Sequence, residues 1–119
     1  MTSMLRVDLD HRPDAVVVHL DGEIDLANAA SLREEALAHA RAHEADCLVV
    51  DLGEVAYIDS AGIEMLFQLY AAQESADRTL ITVAPAGSPA HRILQLAAVG
   101  DVGTVCPTVA DALTSCAVS

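Results

Sequence analysis

The chain has 119 residues, room for one domain (1–119) with one sizeable core. Its 18 acidic residues outweigh 6 arginines, and there is no lysine. The resulting formal charge of −12 repels nucleic-acid phosphates and anionic membrane surfaces, so a basic protein patch is the better partner unless the acid serves only solubility. Lysine's absence also excludes a Walker-type phosphate loop and Schiff-base chemistry.

Apolar β-branched runs alternate with helical patterns along the chain. Leu5 to Asp10 alternates apolar and charged residues, as an edge strand does. His11 to Asp14 reads as a turn and Ala15 to Leu20 as a valine-rich strand, together an antiparallel hairpin. Asp21 to Asp25 then leaves the sheet. A helix follows from Ala27 to about His43, with Ala29, Leu32, Ala36 and Ala40 on one stripe. Cys47 to Leu52 is a strand buried on both faces, and Val55 to Ile58 is a short extended piece.

Ile63, Leu66, Phe67 and Tyr70 recur at helical spacing, which predicts a helix from about Ala61 to Ser75. Thr79 to Val83 is a strand, and Ser88-Pro89 starts a helix that continues to Gly100. Thr104 to Cys106 is a last short strand, and Val109 to Cys116 a helix capped by Thr108. The fold class is therefore α/β: a single domain with a mixed, mostly parallel sheet, an N-terminal antiparallel hairpin and about four helices.

The core is built from small aliphatics, with no Trp and one Phe, which fits helices packed closely on a sheet. Cys47, Cys106 and Cys116 form no Cys-x-x-Cys motif, so neither a redox pair nor a zinc site is signalled, and Cys47 opens a buried apolar run. With no leader-like apolar segment and no run of membrane-spanning length, the expected setting is the cytoplasm, with free thiols and no membrane insertion.

Sites in such sheets gather where strands end and helices begin. Two points qualify: Gly22-Glu23-Ile24-Asp25 and Asp59-Ser60-Ala61-Gly62. At a helix start the unpaired N–H groups and the dipole favour an anion on Ser60, while Asp59 or Ser60 can equally well serve as a plain cap. Gly62 inside the first turn implies a close approach to the backbone, since Ala is a better helix former there by roughly 1 kcal/mol.

These segments, with Leu48-Val49-Val50-Asp51-Leu52 between them and Tyr57-Ile58 leading into the second, resemble a STAS domain, specifically the stand-alone bacterial anti-sigma-factor antagonists. The resemblance runs from about Leu5 to Val118. It implies a non-enzymatic protein-binding module without a cofactor, in which Ser60 is phosphorylated by an anti-sigma factor that is itself a serine kinase. It further implies that a phosphatase acting on phospho-Ser60 resets the switch. The partner surface it implies comprises Gly22, Glu23, Asp25, Asp59, Ser60, Ala61, Gly62 and Ile63. Many members carry Ser or Thr where this chain has Ala61, so a second candidate phosphosite is absent. A STAS domain serving a stress-signalling or lipid-transport assembly is the alternative reading.

Three other constellations are weaker. Asp51 ends a buried strand as a receiver's phosphoacceptor does, but a receiver also needs a lysine. Glu35, His39 and His43 lie four apart on one helix and could face a metal, although a half-buried helix edge explains them without one. His19 and His91 show no obvious partners. Ser60 lacks the Gly-x-Ser-x-Gly elbow of a hydrolase.

Overall fold

In the computed structural model, which describes residues 4–96 and 103–118, the valine-rich segments lie side by side in one five-stranded sheet. The elements follow in the order β1 (Leu5–Arg12), β2 (Ala15–Ile24), α1 (Ala29–Ala42), β3 (Cys47–Ile58), α2 (Ser60–Ser75), β4 (Thr79–Val83), α3 (Pro89–Leu96), β5 (Thr104–Cys106) and α4 (Val109–Val118). The strands are arranged β1-β2-β3-β4-β5. β1 and β2 form the antiparallel hairpin, and every other neighbouring pair is parallel. The expected element order and mixed sheet are both present.

Strand side chains alternate between faces, and here both faces are covered. Val16, Val18, Leu20, Leu48, Val50, Leu52 and Leu80 point to one side, where they pack with the buried residues of α1, α2 and α3. Ala15, Val17, Cys47, Val49, Ile81 and Val83 point to the other, which Ala112 and Cys116 of α4 cover. Burial on both sides is why β2 and β3 read as continuous apolar runs. β1 sits at the sheet's edge, and its Leu5, Val7 and Leu9 are only partly buried.

Several boundaries differ from the sequence reading. His11 and Arg12 belong to β1, paired with Val16 and Ala15, so the hairpin turn is only Pro13-Asp14. β2 does not stop at Leu20. It continues to Ile24 beside β3, which is one strand to Ile58, with register shifts between His19 and Asp21 and between Gly22 and Glu23. The Gly22-Glu23 segment therefore lies within the sheet, as a bulged end of β2. The stripe on α2 is also rotated: Gly62, Met65, Leu66, Leu69 and Gln73 are its buried residues. Ile63 and Tyr70 are partly buried, and Phe67 is exposed.

The stripe on α1 is Ala29, Leu32, Ala36 and Ala40, as expected. Ser88 Oγ accepts the His91 N–H, and Thr108 Oγ1 accepts the Asp111 N–H, so both expected caps form. The continuation of α3 through 97–100 lies outside the described residues.

Candidate functional site

Because β2 and β3 are parallel and end together, at the pair Ile24 and Ile58, the segments that follow them emerge side by side. Asp59 joins them. Its N–H donates to the Ile24 carbonyl at 3.1 Å, its Oδ2 accepts the Leu26 N–H at 3.2 Å, and its Oδ1 accepts the Gly62 N–H at 3.1 Å. Asp59 is thus the N-cap of α2, with extended backbone, and Ser60 is the first helical residue. Ser60 is exposed. Its hydroxyl is not needed for capping, which leaves it available for chemistry.

The other predicted residues take distinct places. Gly22 has φ +123°, and a Cβ there would meet the Met4 carbonyl oxygen at 2.0 Å, so only glycine fits. The adjacent Glu23 N–H donates to that same carbonyl at 2.8 Å and leaves its carboxylate exposed. Asp25 is half-buried and structural: its Oδ1 accepts the Ala27 N–H, its N–H donates to Asn28 Oδ1, and Asn28 Nδ2 donates to the Glu23 carbonyl. Gly62 is buried, and a Cβ there would lie 2.5 Å from Ile58 Cγ2 and 3.0 Å from Ile24 Cγ2. The close approach that this glycine permits is therefore the protein's own core. Ala61 and Ile63 are half-buried beside it.

Exposed apolar residues lie on the segments that meet at Asp59 and on α2 itself. Leu26 is 82% exposed in the loop that Asp59 holds, and Tyr57 is 51% exposed at the end of β3. Phe67 is 39% exposed and lies two helical turns from Ser60 on the same face of α2, about 10 Å along the axis. Leu26, Arg33, Ala61, Glu64 and Gln68 line a shallow groove between α1 and α2, across which an Arg33 guanidinium N–H donates to Gln68 Oε1. The sequence reading placed none of these exposed apolar residues in the site: Phe67 was expected in the buried stripe of α2, Tyr57 only in the strand leading to Asp59, and Leu26 was not singled out. A leucine inside a turn rich in Asp and Asn was the available signal for Leu26.

Elsewhere the structure corrects three readings. Asp51 lies within β3, and besides accepting the Gly53 N–H it contacts His19 Nδ1 at 2.8 Å, so His19 does have a partner. His39 and His43 do meet a third potential ligand, but it is His11 of β1 and not Glu35. Cys47 and Cys116 are joined in a disulfide across 69 positions, so only Cys106 is a free thiol, and it is buried. Among the described residues no helix is long and apolar enough to cross a membrane.

The site is thus an exposed hydroxyl at a helix start, held beside a second loop at one end of a mixed sheet that helices cover on both faces. The chain belongs to the STAS domain family, whose pattern matches residues 6–112. An anti-sigma factor antagonist from Mycobacterium paratuberculosis superposes with a TM-score of 0.77 at 25% identity, covering 95% of this chain and 94% of that one. The antagonist SpoIIAA in its unphosphorylated form gives 0.77 at 16% identity over 96% and 98% of the two chains. SpoIIAA of Bacillus in its phosphorylated form gives 0.66 at 18% identity, over 92% and 98%.

Proposed function

We propose that this protein is an anti-sigma-factor antagonist that acts in the cytoplasm as a binding module and not as an enzyme. Unmodified, it binds an anti-sigma factor serine kinase and frees a sigma factor. Phosphorylation of Ser60 ends that binding, and a phosphatase acting on phospho-Ser60 restores it. The observation that carries the reading is the exposed Ser60 hydroxyl at the first position of α2, with the neighbouring Asp59 carboxylate already committed to two backbone N–H groups.

Phosphate adds roughly −1.5 to −2 charges at neutral pH. The α2 start tolerates an anion through its free N–H groups and dipole. A partner seated on the same surface does not, because the new charge joins Asp59, Glu23 and Glu64 and must be desolvated at the contact. Gly22, Glu23, Asp25, Asp59, Ser60, Ala61, Gly62 and Ile63 frame that surface, with Gly22 and Gly62 setting its backbone and Leu26 and Phe67 supplying exposed apolar area.

The relatives named as anti-sigma factor antagonists support this reading, one of them known in phosphorylated and unphosphorylated forms. The test is capture with Ser60→Ala as bait, followed by incubation of wild-type protein with the captured partner and ATP. An ATPase-type kinase that adds one phosphate at Ser60, and that Ser60→Asp fails to bind, is the expected result. A Ser60→Asp protein that binds this kinase as tightly as wild type rejects the mechanism. Capture of a membrane transporter subunit in its place favours the transport-assembly alternative.

A further inference from the structure

At the end of the sheet opposite Ser60, three imidazoles from two elements converge. α1 begins beside the Asp59 loop and runs back along the sheet, so its last turn lies near the start of β2. His39 and His43 occupy that end of the helix, four residues apart and hence on one face. His11, next to last in β1, pairs with Val16 at the start of β2 and so arrives at the same place. Its Nε2 lies 3.3 Å from His39 Nδ1, and its ring stacks on His43 with centroids 3.8 Å apart. One nitrogen from each of the three residues falls within 4.8 Å of the others.

We propose that His11, His39 and His43 form a binding site for one divalent transition-metal ion of the zinc, nickel or copper class. Bonds of about 2.0–2.1 Å in a tetrahedral arrangement hold neighbouring nitrogens about 3.3–3.4 Å apart. The His11–His39 separation already has that value. His43 completes the set by turning its exposed ring, which costs little because nothing buried must move. Three neutral nitrogen donors select zinc, copper or nickel over magnesium or calcium, which require oxygen.

Local charge agrees. Arg12, the residue after His11, is paired with Asp10 at 3.0 Å, and the acidic chain as a whole attracts a dication. Three protein ligands leave a fourth position for water or for a donor from another molecule. The site shares no residue with the Ser60 surface, so occupancy leaves that surface open.

The test is zinc titration of untagged, chelator-treated protein against a chromophoric competitor, with cobalt as a spectroscopic probe. One ion per chain at micromolar affinity, with the visible absorption of tetrahedral cobalt, is expected. His11→Ala, His39→Ala and His43→Ala should each weaken binding by about tenfold or more, while His91→Ala changes nothing. All three positions lie at the surface or half-buried, and circular dichroism establishes that the variants are folded. No saturable zinc binding below millimolar concentration, or binding that survives all three substitutions, overturns the proposal and leaves only stacked imidazoles.

Discussion

The Asp59 carboxylate accepts the Leu26 N–H at 3.2 Å, so the loop after β2 hangs on the cap of the helix that follows β3. One side chain therefore does two jobs, since its other oxygen accepts the Gly62 N–H. Asp59→Ala should lose the cap, worth about 1 kcal/mol, and loosen the Leu26 loop as well. Asp59→Asn keeps one acceptor oxygen but places an NH2 where the second was, and should fall between the two. Urea unfolding measures the stabilities, and amide exchange at Leu26 reports the loop. Unchanged exchange at Leu26 in Asp59→Ala would show that the loop holds itself.

The proposed switch at Ser60 should act on binding and leave the fold alone. At the first position of α2 an anion gains about 0.3–1 kcal/mol from the helix dipole. Repulsion from Asp59 opposes this by a comparable amount. Ser60→Asp should therefore unfold in urea within about 1 kcal/mol of wild type while losing its partner. Much larger destabilisation would mean that charge at this position melts the helix start, and that release from the partner is unfolding.

The sequence made much of this site legible, and the reasons differ by residue. Ser60 at a helix start followed from the apolar spacing of α2 and from Asp59 before it. The stripes of α1 and the caps at Ser88 and Thr108 depend on contacts within a few residues, which local pattern reveals. The joining of the two loops needed the family resemblance, because it depends on the register of β2 against β3. Longer-range relations stayed hidden. Pairing with β3 carries β2 four residues past Leu20 through a bulge at Gly22, where local composition reads as a turn. His11 meets His39 across 28 positions only because the hairpin end lands beside the last turn of α1. Phe67 looked like core because Ile63 and Tyr70 share its spacing, yet packing chose the adjacent stripe through Met65 and Leu69.

Gly62 makes a sharp test of that packing. On helix propensity alone, Gly62→Ala should stabilise α2 by about 1 kcal/mol. The added methyl would lie 2.5 Å from Ile58 Cγ2, in a core where overpacking costs about 1–3 kcal/mol. Ile58 is buried at the end of β3 and has little freedom to yield. The variant should thus be less stable than wild type by urea unfolding. A stabilised Gly62→Ala protein would show that Ile58 moves aside, and that the glycine serves something outside the core.

The Cys47–Cys116 bond ties α4, which covers its own face of the sheet, to the first residue of β3. Closing a loop across 69 positions restricts the unfolded chain and contributes about 4 kcal/mol. The packing of Ala112 and Cys116 against Val17, Val49 and Ile81 persists without the bond, so a reduced protein should remain folded but less stable. Air-oxidised protein should be two hydrogens lighter than reduced protein and need more urea to unfold, and the double variant Cys47→Ala, Cys116→Ala should be insensitive to reductant. A reducing cytosol would open this bond. Because it lies at the end of the sheet away from Ser60, opening it should lower stability without changing partner affinity. Alkylation of three thiols in protein unfolded without reductant would show that the two cysteines lie close without bonding, and the stability difference should then vanish.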